Sequence, residues 1–143
     1  MKKEVNIKEV KTNPNNPRTI KDSNFKKLEK SIKELSGFLK LRPIIVDEDM
    51  MVLGGNMRLK AALSVGKEKV WIDMFTKDMA DKMNQEATEQ GRKTKTYSDF
   101  CKEIIVKDNS GFGEWDIEIL TNDYNKEDLI EWGFDSEEVD FFE

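Results

Sequence analysis

Histidine is absent from the 143 residues, and cysteine occurs once, at Cys101. Without histidine there is no Ser–His or Cys–His nucleophile pair and no imidazole metal ligand. A single thiol closes no disulfide within the chain and supplies no zinc-ligating set. Any metal must be a hard cation held by oxygen, as Mg2+ is. Cys101 lies in "SDFCKEII", a helical pattern, and reads as a buried or half-buried structural position rather than a nucleophile. Only three prolines are present, and two of them, Pro14 and Pro17, fall in "TNPNNPRTI". Proline forbids regular pairing and asparagine favours turns, so this stretch is a loop. Long apolar runs are missing as well. Nothing approaches the roughly 18–20 residues of a membrane span, and "MKKEVNIKEV" has no apolar stretch of signal-peptide type. The expectation is a cytoplasmic protein that makes no membrane contact.

What the chain has in abundance is charge, 37% of residues, unevenly spread. Residues 1–69 hold 16 Lys and Arg against 9 Asp and Glu; residues 70–143 hold 8 against 20. The first half can attract phosphate and contact DNA, whereas the second repels it. A solvated surface with an acidic tail accounts for the same numbers, since Lys26, Lys27, Lys30 and Lys33 also suit an exposed helix face.

The length fits one domain with an appendage. Residues 5–10 partly alternate and predict a short strand. From Ser23 to Leu35, Phe25, Leu28, Ile32 and Leu35 recur at i, i+3, i+7 and i+10, one apolar stripe of a helix. Asp22 or Ser23 can cap it and Gly37 ends it. "RPIIVDEDMMVL" reads as a hairpin around the acidic turn at residues 47–49. Residues 56–65 predict a second helix stopped by Gly66, and residues 69–75 a strand. Residues 77–95 are helical in part, with Met79 and Met83 placed to cover the core. A helix is expected over residues 97–106 and a loop over 107–116. Trp115, Ile119, Leu120, Leu129, Ile130, Trp132 and Phe134 are candidates for a small appended core. No internal repeat is visible.

The informative stretch is "MVLGGNMRLKAAL", residues 51–63. Glycine is disfavoured inside helices by about 1 kcal/mol, so Gly54 and Gly55 mark a strand-to-helix turn. Free N–H groups and the positive end of the helix dipole meet there. Glycine lets an anion approach the backbone. Arg58 adds a planar fork suited to phosphate, and Asn56 can cap the helix or donate to a ligand. The patterns GxxxxGK[ST] and GxGxxG are both absent. On spacing alone, a tight β–α turn with an exposed arginine explains the stretch equally well.

The order "NPNNPRTI … SIKEL … LRPIIVDEDMMVLGGNMRLKAALSVGKEKVWIDMF" resembles the N-terminal domain of the ParB/sulfiredoxin superfamily. Shared are an NPxxPR loop, a helix, a "PI-V" strand, a hairpin, a G-x-x-R-x-x-A helix start and a further strand, over about residues 3–75. The resemblance implies an α+β fold: a small mixed-sheet core over residues 1–76, then a helical extension over 77–143 that packs on it and ends in an acidic tail. In that superfamily the G-x-x-R turn binds nucleotide phosphates; ParB hydrolyses CTP, sulfiredoxin uses ATP, and some relatives are kinases of free serine. Carried over, Gly54, Gly55, Asn56, Met57 and Arg58 form the phosphate turn, and Arg18 of the NPxxPR loop lies beside it. Asp108 and Asn109 are placed as counterparts of a Glu-Asn pair near metal and phosphates, a carboxylate and an amide oxygen that suit Mg2+. A helix-ending Asp-Asn turn is the plainer reading. The region "EIIVKDNSGFGEWD … LIEWGFD" also resembles phage and bacterial ParB-like nuclease-domain proteins, often neighbours of DNA methyltransferases.

The chain departs from these patterns in instructive ways. Sulfiredoxin's Gly-Cys-His-Arg turn is here Gly-Asn-Met-Arg, which argues against sulfiredoxin chemistry. Met57 replaces an arginine of the GERR-like ParB turn. No Arg/Lys-rich recognition helix follows the domain, which argues against centromere reading. Three functions remain open. One is a nucleotide-binding protein in the DNA metabolism of a phage or mobile element in a bacterial host cell. It would take CTP or ATP with Mg2+, with NTP hydrolysis or phosphotransfer, and its general base must be a carboxylate such as Asp108 or Glu34. Another is a metal-dependent DNA nuclease, which needs convergent carboxylates. The last is a non-catalytic adaptor that binds DNA or a protein such as a methyltransferase or another phage or host factor.

Overall fold

Short runs of β-branched and aliphatic residues, apolar at consecutive positions, require a sheet that is covered on both faces. The computed structural model describes residues 2–13, 18–19, 22–35, 37–109, 114–115 and 121–131. Its main sheet comprises β1 (Lys2–Asn6), β3 (Ile44–Val46), β4 (Val52–Gly54) and β5 (Lys69–Met74), in the order β1-β5-β3-β4. A separate two-stranded pair joins β2 (Arg18–Thr19) to β6 (Glu114–Trp115). β3 runs parallel to β5 and antiparallel to β4, and β1 runs antiparallel to β5. Register places Ile44 opposite Ile72, Val5 opposite Val70 and Val46 opposite Val52. These side chains share one face. There Ile44, Val46, Val52, Val70 and Ile72 are fully buried with Leu59, Ala61 and Ala62 of α3 (Asn56–Ser64) and Ile32 of α1 (Asp22–Glu34). The opposite face presents Leu53 and Ile45 to Phe100, Ile104 and Ile105 of α5 (Tyr97–Asn109) and to Ala80 of α4 (Lys77–Glu89). The result is a mixed sheet between two helical layers, followed by a further helix, α6 (Lys126–Glu131).

Several expectations are corrected. The first strand ends at Asn6, whose side chain accepts from the Lys8 N–H and turns residues 7–9 into a 3-10 helix, which buries Ile7. Gly37 does not simply end a helix: a one-turn helix, α2 (Phe38–Leu41), follows it and buries Leu39. Leu35 lies past the end of α1 and is 54% exposed, so the apolar stripe closes at Ile32. Met79 and Met83 stay 43% and 40% exposed, because α4 packs through Ala80 and Ala87 instead. The helix expected to stop at residue 106 continues to Asn109, its last turn carrying a Lys107–Glu103 ion pair at 2.6 Å. α6 is capped reciprocally by Asn125 and Asp128 and buries Leu129 completely, while Ile130 is 40% exposed. Residues 14–17, the side chains of Asp22 and Ser23, and Ile119, Leu120, Trp132 and Phe134 lie outside the described residues, as does the side chain of Trp115. No helix among the described residues is long and apolar enough to cross a membrane.

The hairpin turn is held by its own acids. The Asp47 carboxylate accepts from the N–H groups of Asp49 (2.9 Å) and Met51 (3.0 Å). Glu48 accepts from the Lys77 N–H at the start of α4. Tyr97 donates its O–H to the Phe75 carbonyl (2.6 Å) and accepts from the Glu48 N–H (3.0 Å), with its ring stacked on Phe75. Burial pushes the Tyr97 hydroxyl up to about 12 from 10.0, and the Cys101 thiol up to about 11 from 9.0. Both groups are held neutral by the fold, so their stabilising contribution is complete below the unfolded values and is lost as pH rises through the folded ones. Urea midpoints measured against pH are expected to hold up to about pH 9 and to fall between there and about pH 12.

Candidate functional site

β4 delivers the chain into the glycine turn with all three of its residues buried. Gly55 follows with φ 93° and ψ 24°, a left-handed conformation that glycine adopts without a Cβ penalty, and α3 starts directly after it. No side chain caps this end and no acid stands in the first turn. The first intrahelical bond runs from the Leu59 N–H to the Gly55 carbonyl (2.9 Å), which leaves the N–H groups of residues 56–58 at the open end of the helix. Asn56, expected as a cap or ligand donor, makes no cap hydrogen bond; it is only 5% exposed, and its Oδ1 has no hydrogen-bond partner among the described residues. Met57 and Arg58 are half-buried.

Arg58 does not extend into solvent. Its guanidinium folds back over Gly55, where an added Cβ would stand 2.8 Å from Nη2 and 3.0 Å from Cζ. Nη2 donates to the Pro43 carbonyl at 2.9 Å. The arginine fork is thus already oriented at the turn.

Asp108 reaches the same place from 50 residues away along the chain. It sits on the last turn of α5, and its carboxylate rests on Gly54: an added Cβ there would overlap Oδ2 and stand 2.6 Å from Cγ. The Asp108 carboxylate forms no hydrogen bond or ion pair with the other described residues. Asn109 is the next residue of the helix, with its side chain outside the described set. Arg18 is placed only by its backbone, in β2 opposite Trp115. Earlier in the chain, Lys11 lies beside the start of β4, with its N–H bonded to the Met50 carbonyl and the Val52 N–H to its carbonyl. Glu34 is exposed at the end of α1.

Fold therefore brings Gly54, Gly55, Asn56, Arg58 and Asp108 together from two helices and a strand. The open helix end and the guanidinium favour an anion; the carboxylate opposes one. A hard cation shared between the carboxylate and phosphate oxygens reconciles the two, and Mg2+ is commonly held by one or two carboxylates plus substrate phosphates. No group of three or more metal-ligating side chains exists among the described residues, so a phosphate ligand would have to complete the coordination. A separate cleft of about 770 Å3 lies away from the turn, between residues 91–102 and 123–131, with cations such as Arg92 and Lys93 facing Asp123 and Glu131. Sequence reasoning missed Pro43 and Tyr97, and saw Glu48 only as one acid of the hairpin turn. Pro43 acts through its carbonyl, and Glu48 meets Tyr97 through its N–H, backbone groups that carry no residue-type signal.

The description of the ParB N-terminal domain matches residues 2–90. The match takes in residues 18 and 54–58 and ends before α5, so residues 108 and 109 fall outside it. Among solved structures the chain is similar to a Pnob8-like ParB-N domain in a C2221 crystal form, with TM-score 0.55 and 21% identity over 76% of this chain and 36% of that one. It is also similar to the C-terminally truncated chromosome-partitioning protein ParB from Caulobacter crescentus complexed with CTP-gamma-S (TM-score 0.54, 20% identity, 97% of this chain and 74% of that one). The same protein complexed to the centromeric parS site gives 0.53, 18%, 96% and 67%. At such identities the likeness is one of fold, and the chain spans about a third of the length of the first of these proteins. No curated protein sequence matches it.

The Gly54–Asp108 contact is directly testable. Gly54→Ala is expected to cost about 1–3 kcal/mol in urea unfolding, the usual range for forcing an extra carbon into a packed site. In an Asp108→Ala background the cost should shrink, because the overlapping Oδ2 and Cγ are gone; equal costs in the two backgrounds would mean that the side chains do not meet.

Proposed function

The chain belongs to the ParB N-terminal domain family, and from that premise we propose that it binds a nucleoside triphosphate with Mg2+ at the turn of residues 54–58. The observation that carries this reading is the Asp108 carboxylate resting on Gly54 beside an uncapped helix end. An acid in that place weakens a bare anion site and completes a metal–phosphate one. Backbone N–H groups of residues 56–58 cradle phosphate oxygens, and the Arg58 fork adds charge-assisted hydrogen bonds. Asp108, with Asn109, is assigned to the cation, whose part when bound is to neutralise the phosphates. Arg18, in β2, is assigned to the phosphates. CTP leads ATP as the nucleotide, because a fold relative is known in complex with CTP-gamma-S. Hydrolysis or phosphotransfer would rest on positioning and charge neutralisation. Of the two carboxylates considered as general base, Asp108 is at the turn and Glu34 is exposed at the far end of α1. The setting we assign is DNA metabolism of a phage or mobile element. The exposed lysines at 26, 27, 30 and 33 on α1 supply a salt-sensitive affinity for nucleic acid.

The nuclease alternative loses its clearest carboxylates to the fold. Asp47 is spent on the hairpin and Glu48 on the start of α4.

Calorimetry with CTP, ATP and GTP, each with Mg2+ and with a chelator, tests the proposal. Saturable binding is expected with Mg2+, weakened about tenfold or more by Arg58→Ala, as the loss of a charged hydrogen bond implies. Asp108→Asn should remove most of the gain that Mg2+ brings. Absence of binding by the folded protein would make the turn a structural β–α joint.

A further inference from the structure

Asp108 can serve the turn only while α5 keeps its carboxylate on Gly54, and the packing shows what holds α5 there. The contacts of Phe100, Ile104 and Ile105 with Leu53 and Ile45 are apolar. Apolar contact is non-directional and tolerates sliding. A slide of one residue moves a helix by about 1.5 Å and turns it by about 100°, enough to take Asp108 off the glycine. The ion pairs of Glu103 with Lys107 and Lys95 bind α5 to itself and to the segment before it, not to the sheet. Directional bonds from α5 to the sheet are found at its first residue. Tyr97 donates to the Phe75 carbonyl at the end of β5 and accepts from the Glu48 N–H in the hairpin turn. Its ring stacks on Phe75, with centroids 5.3 Å apart and planes 3° apart. Tyr97, Cys101, Ile104 and Asp108 fall at i, i+4, i+7 and i+11, one stripe of the helix. The stripe starts at the hairpin turn before β4 and finishes at Gly54, where β4 ends.

We propose that the Tyr97 hydroxyl is a positioning group for the glycine turn: by bonding the two strand ends at once, it sets the register of α5 that places Asp108 on Gly54, three helical turns away. The consequence for nucleotide rests on the function proposed above; the placement itself does not.

The test is Tyr97→Phe, which keeps the stacked ring and removes both hydrogen bonds. The first readout is the amide resonances of Gly54 and Gly55 in the protein without nucleotide. They are expected to move, and in the direction in which Asp108→Asn moves them, while those of Val70 and Ile72 on the other face stay in place. Glu48→Pro removes the N–H half of the contact at a turn position that accepts proline, together with the carboxylate bond to the Lys77 N–H, and Glu48→Ala, which loses the carboxylate bond alone, is its control; relative to Glu48→Ala it should give a smaller shift of the same sign, and it decides the matter if Tyr97→Phe does not fold. Unmoved glycine resonances overturn the proposal whatever the nucleotide result. The second readout is the ratio of nucleotide affinity with Mg2+ to that with chelator. Tyr97→Phe should lower it about fivefold, the scale of one lost hydrogen bond, and should have no further effect in Asp108→Asn. An unchanged ratio, or equal loss in both backgrounds, would leave Tyr97 a purely structural residue. If the wild-type protein binds no nucleotide, the functional reading fails, and the glycine resonances still decide the role of Tyr97.

Discussion

The absence of a side chain at Gly54 is the constraint on which the site depends. A single methyl group there would occupy the space that the Asp108 carboxylate fills. Two adjacent glycines thus answer two different needs. Gly54 is required for close approach of a neighbouring helix, whereas Gly55 is required for a left-handed φ of 93° that lets β4 turn into α3 without strain. Gly55 also gives room to the Arg58 guanidinium, so the same pair of missing side chains seats one cationic and one anionic group within a few ångströms of the turn.

That arrangement makes sense of the charge asymmetry of the chain. The cationic half contributes the turn and Arg58, and the acidic half contributes α5 and Asp108. Three acids near the sheet are consumed by structure. Asp47 closes the hairpin, Glu48 holds the start of α4, and Glu103 is paired with two lysines, whose hydrogen bonds outweigh burial and keep it below the usual carboxylate range. Asp108 is different, for its carboxylate forms no hydrogen bond or ion pair with the other described residues while lying against buried backbone. The function proposed above gives that carboxylate a cation that arrives with the ligand.

Much of this was legible in the chain itself. The hairpin, the helix after Gly55 and the strand at Lys69–Met74 follow from period and turn chemistry. The stretch at Gly54–Gly55 announced a turn with a purpose. Other features were hidden for physical reasons. α2 is a single turn, too short to show a period, and exists because Leu39 finds a place in the core. Met79 and Met83 looked like core residues by hydrophobicity, yet the close packing of α4 selects the small Ala80 and Ala87. The burial of Asn56 and the bond from Arg58 to Pro43 are tertiary facts, since a polar residue at a helix start is ordinarily solvated. Tyr97 was visible as a helix start but not as a link, because both of its partners are backbone groups far away in sequence.

The bond from Arg58 to Pro43 bears on how the turn can accept a ligand. A neutral carbonyl holds one end of the guanidinium, and such a bond contributes about 1.5–3 kcal/mol net when the donor is charged. A phosphate offers the same fork two charged oxygens in a geometry that matches it. Under the proposed function the arginine need not be recruited from solvent, because it already lies over Gly55 with much of its side-chain freedom removed. Asp108 sets the condition on accepting the phosphate. Its charge opposes a phosphate that comes alone and favours one that comes with a cation, so under the proposed function the turn would discriminate by the partner of the phosphate as well as by the phosphate itself.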